Sequence, residues 1–181
     1  MKVLSFIAML PFIAAVFAGN IRGQSRNGAP ATVDYVDLER YSGKWYEISK
    51  IPNRFQRGCA GNTTAQYAIR GDERIDVVNR CRKTDGSMEE AKGIARVVDE
   101  SSNAKLKVSF VHFLWRWWFW GDYWIIGLGQ DYEYAIVGTP NRKYGWVLSR
   151  NPIMSPDKYA HVAGELSSLG YDPEDFERTR H

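Results

Sequence analysis

The chain has 181 residues, 44% of them hydrophobic and 25% charged, with a formal net charge of +3. That length and balance fit one folded domain with one core rather than two. So small and dispersed a charge excludes a nucleic-acid partner, which would need a basic patch or stripe.

Residues 1–18 carry a lone Lys2, an apolar run from Val3 to Phe17 broken by Pro11, and a small-residue exit at Val16-Phe17-Ala18. This pattern predicts a secretory signal. A retained anchor would need about 20 unbroken apolar residues without a proline. No cysteine lies near the exit, so a lipid tether has no residue to form on. The expectation is an exported protein, periplasmic or secreted, soluble after cleavage. Residues 19–32 are rich in Gly, Asn, Ser, Arg and Pro, have no apolar period, and read as a flexible leader. Export also bears on Cys59 and Cys81, the only cysteines. In an oxidising compartment they read as a disulfide rather than as two reduced buried thiols.

The folded domain is expected over 33–181. Asp37 to Tyr41 predicts a single helical turn before Gly43. Short β-branched and aromatic runs follow, separated by Gly, Asp, Asn and Pro. Eight strands are predicted: Lys44 to Ile51, Thr63 to Arg70, Ile75 to Lys83, Met88 to Val98, Lys105 to Val111, Asp122 to Leu128, Glu133 to Gly138 and Tyr144 to Arg150. Tight-turn residues at 71–74, 84–87, 100–103 and 140–143 leave no room for crossover helices, so the sheet is antiparallel and sequential. After Pro152 the period changes. Ser155-Pro156-Asp157 is an N-cap with proline at the first position, and Tyr159, Val162, Ala163 and Leu166 recur at helical spacing until Gly170. The predicted fold is all-β: an eight-stranded up-and-down antiparallel β-barrel with one C-terminal α-helix packed outside.

Strand alternation sets Leu106, Val108 and Phe110 on one face and Lys105, Lys107 and Ser109 on the other. Ala65, Tyr67 and Ile69 share a face, as do Ile75, Val77, Asn79 and Cys81. Trp146, Leu148 and Arg150 are in phase. Ala91, Gly93 and Ala95 are small where a filled barrel would carry bulk, which favours an internal ligand. Taken singly, most of these residues read better as a packed core, and only the predicted fold favours an internal ligand cavity.

The order of motifs resembles the lipocalin family, in its bacterial branch related to outer-membrane lipoproteins and apolipoprotein D. Gly43-Lys44-Trp45-Tyr46-Glu47-Ile48 matches a Gly-x-Trp signature at the first strand. Asp131 to Gly138 looks like the second signature, and Trp146-Val147-Leu148-Ser149-Arg150 like the third. Thr64-Ala65-Gln66-Tyr67 and Val78-Asn79-Arg80-Cys81 also resemble the bacterial branch. The resemblance implies a bridge between Cys59 and Cys81, with Thr64 roughly opposite Cys81 in the hairpin. It implies that Trp45 and Arg150 close the floor of the barrel and that residues 112–121 lie at its open mouth.

Membership would imply a carrier of a small hydrophobic ligand, a fatty acid or lysophospholipid. Ala65, Tyr67, Val77, Ala95, Phe110 and Trp146 would line its apolar depth, with Asn79 and Tyr123 offering polar contacts. The segment from His112 to Gly121 holds Trp115, Trp117, Trp118 and Trp120, four of the seven tryptophans. It reads as an interfacial membrane anchor, as a lid, or as a hairpin packed on the rim. Glu47 shares the inward phase of Trp45 and needs a partner, either Arg96 or a ligand headgroup, unless it is solvated at the rim. No His, Cys and carboxylate cluster has metal-ligand spacing, so neither metal nor cofactor is expected. No catalytic signature appears, so an enzyme is not expected. The alternative is an enzyme acting on a lipid or isoprenoid inside the same barrel, with Cys59 as a candidate nucleophile.

Overall fold

The computed structural model describes residues 28–113 and 116–181, without the side chains at 112, 113 and 116. The expected signal and most of the expected leader lie outside these residues. From the leader's end, Pro30 is buried, and the Gly28 carbonyl accepts a hydrogen bond from Arg142 Nη1 at 2.6 Å.

Eight strands form the barrel: β1 (Gly43–Lys50), β2 (Cys59–Ile69), β3 (Arg74–Lys83), β4 (Met88–Val97), β5 (Lys105–Ser109), β8 (Gly121–Leu128), β9 (Tyr134–Gly138) and β10 (Gly145–Ser149). Consecutive barrel strands pair antiparallel, and β1 pairs with β10 to close the cylinder, Tyr46 opposite Ser149. Closure leaves the barrel without the free edge on which strands aggregate. Between β5 and β8 the chain makes a separate hairpin, β6 (Val111–Phe113) with β7 (Arg116–Trp118).

The expected helical turn is α1 (Leu38–Tyr41), whose free N–H groups at Glu39 and Arg40 are capped by Asp37 Oδ1. The C-terminal helix is α2 (Pro156–Ser168), capped by Ser155 with proline in its first turn. It ends before Gly170, whose φ of +82° suits glycine. Val162 and Leu166 of α2 pack with Ile48, Ile126, Ile136 and Val147 on the outer wall. A second core, around Trp45, Tyr67, Val77, Ile125 and Leu148, fills the inside.

Two elements escape the alternation pattern. A short strand β11 (Glu177–Arg178) pairs with the end of β1, and Asn62 N–H donates to Arg180 O at 2.6 Å. The tail therefore fills the gap left where β1 and β2, paired from Gly43–Tyr67 to Tyr46–Thr64, diverge towards the mouth. The second is the start of β2, four residues earlier than expected. The turn sets Ile69 opposite Ile75, and the unbroken register from there puts Thr64 opposite Arg80 rather than Cys81. Shifts near Gly61 and Asn62, the latter at φ +52°, come only beyond Thr64, towards Cys59.

Candidate functional site

The floor is built around Arg150. Its guanidinium lies 3.8 Å from the Trp45 ring centroid. It donates to the carbonyls of Lys44 at 3.0 Å, Arg40 at 2.5 Å and Tyr132 at 3.3 Å. Trp45 is fully buried and gives its Nε1–H to Tyr41 O at 2.8 Å. The glycine of the Gly-x-Trp motif is required here: Gly43 has φ +94°, and a Cβ would sit 3.4 Å from Arg150 Nη1. Trp45 and Arg150 thus meet as expected, at the end away from the loops that follow β1, β3, β5 and β9.

Above the floor, Tyr41 and Tyr67 both hydrogen-bond Tyr123 through their hydroxyls, at 2.8 and 2.9 Å. Burial raises all three phenols; Tyr67 is pushed up to about 12, with the Tyr123 hydrogen bond offsetting part of the rise. The cluster therefore stays protonated, fitted to hydrogen bonding rather than to base catalysis. The hydroxyl of Tyr123, expected to offer a polar contact, is shared with these two tyrosines. Tyr41, missed as a site residue, could have been found from its place one turn before Trp45.

Ala65, Tyr67, Val77 and Ala95 line the inner wall and are buried. Tyr123 and Trp146 pack against them, half-buried. Asn79 stands in register with Ala65 on one side and Ala91 on the other, and its Oδ1 is buried without a hydrogen-bond partner. Phe110 is 39% exposed. Its ring covers Gly93, where a Cβ would come within 2.6 Å of it, so the space the small residues leave on β4 is partly taken by this side chain. The enclosed void beneath, between Tyr67, Ile75, Ala95, Leu106 and Tyr123, measures about 10 Å³. That is room for one water, so a larger guest must displace side chains. Phe110 is the most exposed aromatic of this inward set.

Glu47 is 3% exposed, which corrects the solvated-rim expectation. Nor is Arg96 its partner. Gln56 Nε2 donates to it at 2.5 Å and Thr179 Oγ1 at 2.6 Å, with Lys50 Nζ at 3.7 Å. Gln56 Oε1 in turn accepts from Trp146 Nε1 at 3.0 Å and Asn53 Nδ2 at 2.8 Å. Gln56 and Thr179 come from irregular chain that carries no period, so strand alternation could not reveal them.

Arg96 points outward on β4, where its guanidinium lies 4.6 Å from the Trp120 ring centroid. Trp120, on the connection expected at the mouth, therefore packs on an outward-facing side chain of β4. Trp117 is half-buried, and Trp118 is 43% exposed with its carbonyl held by Ser109 Oγ at 2.5 Å. Trp115 lies outside the described residues.

Cys59 and Cys81 form the disulfide, their Cα atoms 5.6 Å apart. Cys59 thus has no free thiol, and its candidacy as a nucleophile ends there. Among the described residues, no three His, Cys, Asp or Glu side chains are placed to hold a metal ion. No helix among them is long and apolar enough to cross a membrane.

Residues 36–181 match the family model of the Lipocalin-like domain. Outer membrane lipoprotein Blc of Citrobacter freundii is 36% identical over 169 residues, covering 91% of this chain and 92% of its own. Temperature-induced lipocalin-1 of Arabidopsis thaliana is 36% identical over 147 residues, covering 80% of this chain and 78% of its own. Apolipoprotein D of Mus musculus is 31% identical over 184 residues, with 97% and 93% covered. Among solved structures, insecticyanin from the tobacco hornworm Manduca sexta superposes with a TM-score of 0.68 at 20% identity, over 84% of each chain. At that identity the likeness speaks for the fold alone.

Proposed function

The chain belongs to the lipocalin family, whose barrels bind small hydrophobic ligands, and we propose that this one is exported and carries a single-chain amphiphile, a lysophospholipid ahead of a fatty acid. The observation that carries the choice is Asn79 Oδ1, a buried acceptor on the inner wall without a donor. A buried acceptor favours a guest that donates, as a glycerol hydroxyl does. An ionised fatty-acid carboxylate brings no donor. Acyl burial at about 0.8 kcal/mol per methylene supplies affinity once the cost of association and of moving Phe110 is met. Native mass spectrometry of protein taken from its own compartment, with lipid extraction, tests the reading. A lysolipid should co-purify; no bound lipid, together with failure of lysolipid and fatty-acid probes to bind, defeats it.

A second reading has its own observation. Phe119 is 84% exposed, beside Trp118 and Val111 at 43% and 44%. Such a cluster on one hairpin fits contact with a membrane interface, where aromatic rings settle. Flotation with liposomes tests it: wild type should float and Trp118→Ser/Phe119→Ser should not.

A further inference from the structure

We propose that a groove on the rim of the barrel holds the phosphate of the carried amphiphile, an assignment that rests on the carrier function above. The groove has a volume of about 320 Å³ and is lined by Pro52, Asn53, Arg54, Arg57, Lys143 and Tyr144. Its walls come from the connection between β1 and β2 and the turn between β9 and β10, both at the open end. The size suits a headgroup and falls short of a whole lipid.

Three of the six lining residues are cations. Among the described residues, none of the three has a carboxylate within ion-pair distance. Some cations elsewhere on the barrel are matched, Arg70 with Asp72 and Asp76, Arg80 with Glu90 and Lys107 with Asp122, while others such as Lys44 and Arg96 lie over single rings. What sets the groove apart is that three cations without a carboxylate partner line one recess. The nearby Glu89 carboxylate reaches towards Gly58, beside Arg57, without pairing with it. Arg54 and Lys143 lie instead over the rings of Phe55 and Tyr144, at 5.0 and 5.8 Å. Those stacks orient the charges and leave their N–H donors for an anion. Two guanidinium forks and an ammonium around one recess match the oxygens of a phosphate.

The loop that presents these cations is held in shape. Asn53 Oδ1 accepts from Phe55 N–H at 3.1 Å, and Asn53 Nδ2 donates to Ile51 O at 3.2 Å and Gln56 Oε1 at 2.8 Å. An aromatic pair joins the wall of the groove to the inner core. Tyr144 stacks on Trp146 with ring centroids 6.2 Å apart, and Trp146 packs against the inner core. Where the aromatic pair crosses the rim, Gln56 joins Trp146 to Glu47. The inside of the mouth thus holds the Glu47 carboxylate already paired with Lys50, and the outside carries cations without a carboxylate partner. An anionic headgroup is attracted by the rim cations while the apolar inner wall takes the chain, so the chain enters and the phosphate stays on the rim.

The test is tryptophan-fluorescence titration of the full protein with three probes: palmitoyl lysophosphatidic acid, monopalmitoylglycerol and inorganic phosphate. Wild type and an Arg54→Gln/Arg57→Gln/Lys143→Gln variant are compared below micelle-forming concentrations. Wild type should bind the lysophosphatidic acid at least tenfold more tightly than the uncharged monoglyceride, and the preference should shrink as salt is raised. The variant should bind both alike, with the monoglyceride affinity unchanged. Equal binding of the two lipids by wild type overturns the rim site and leaves the carrier function standing, a result that needs no variant. Binding of neither lipid overturns both. Inorganic phosphate binding as tightly as the lysophosphatidic acid would make the groove a free-phosphate site and overturn the headgroup assignment.

Discussion

The Arg150 guanidinium lies 3.8 Å from the centroid of the Trp45 ring while its donors reach the carbonyls of Lys44, Arg40 and Tyr132. One side chain thus ties the last barrel strand to the first, to the turn of α1 and to the loop before β9. Lysine keeps the charge but cannot reach three carbonyls and cover a ring at once. Arg150→Lys should therefore cost about 2 kcal/mol, from the lost cation–π contact and hydrogen bonds. Urea denaturation would show it as a lower midpoint with an unchanged slope.

Reducing the disulfide should cost about 3 kcal/mol, because Cys59 and Cys81 are 22 residues apart in sequence and their bridge restricts the unfolded chain. The loss should appear in unfolding midpoints measured with and without dithiothreitol. A Cys59→Ser/Cys81→Ser variant should match the reduced wild type and be insensitive to the reductant.

How legible this site was depends on which force places each residue. Ala65, Tyr67, Val77 and Ala95 sit on long paired strands, where a period of two and the demand for burial leave one choice of face. Ser155 and Pro156 announced α2 for an equally local reason, since capping chemistry is written in adjacent residues. Thr64 stands one register position from the expected partner because the turn pairs Ile69 with Ile75, and turn geometry is hard to fix from composition; the bulges at Gly61 and Asn62 shift only the residues beyond Thr64. The partners of Glu47 were invisible for a different reason. Gln56 and Thr179 lie 9 and 132 residues away along the chain, in a loop and in the tail, and only closure of the barrel brings them together. The unpaired charge of the rim groove was likewise hidden, because pairing is a property of space rather than of composition.

The three-tyrosine cluster predicts an alkaline limit to stability. Burial raises the folded Tyr67 pKa from 10.0 to about 12, so above pH 10 the unfolded chain has lost a proton that the folded chain still holds. The unfolded state then binds fewer protons, and stability falls with pH by about 1.4 kcal/mol per unit for each such tyrosine. The contribution is fully present below pH 10 and is lost as pH rises towards 12. Tyr41 and Tyr123 are raised as well, by burial, and add to the slope. In Tyr67→Phe the fall between pH 10 and 12 should be shallower by one tyrosine's share. An unchanged slope would mean that Tyr67 is not held neutral in the folded barrel.

Gln56 should show energetic coupling to Trp146 through a shared atom. Its Oε1 accepts from Trp146 Nε1 while its Nε2 donates to the buried carboxylate of Glu47, so truncation strands a donor and weakens the cover of a charge together. Gln56→Ala should cost about 1–3 kcal/mol, as expected when buried polar groups lose partners. Trp146→Phe removes the indole N–H and leaves the ring in place. Once that donor is gone, part of the cost of Gln56→Ala has already been incurred, and the double variant should be more stable than the two single losses add up to. A coupling of about 0.5 kcal/mol or more in the double-mutant cycle is expected for side chains in one network. Additive losses would mean that Gln56 acts on Glu47 alone, and the indole would then be free to turn towards a guest in the mouth.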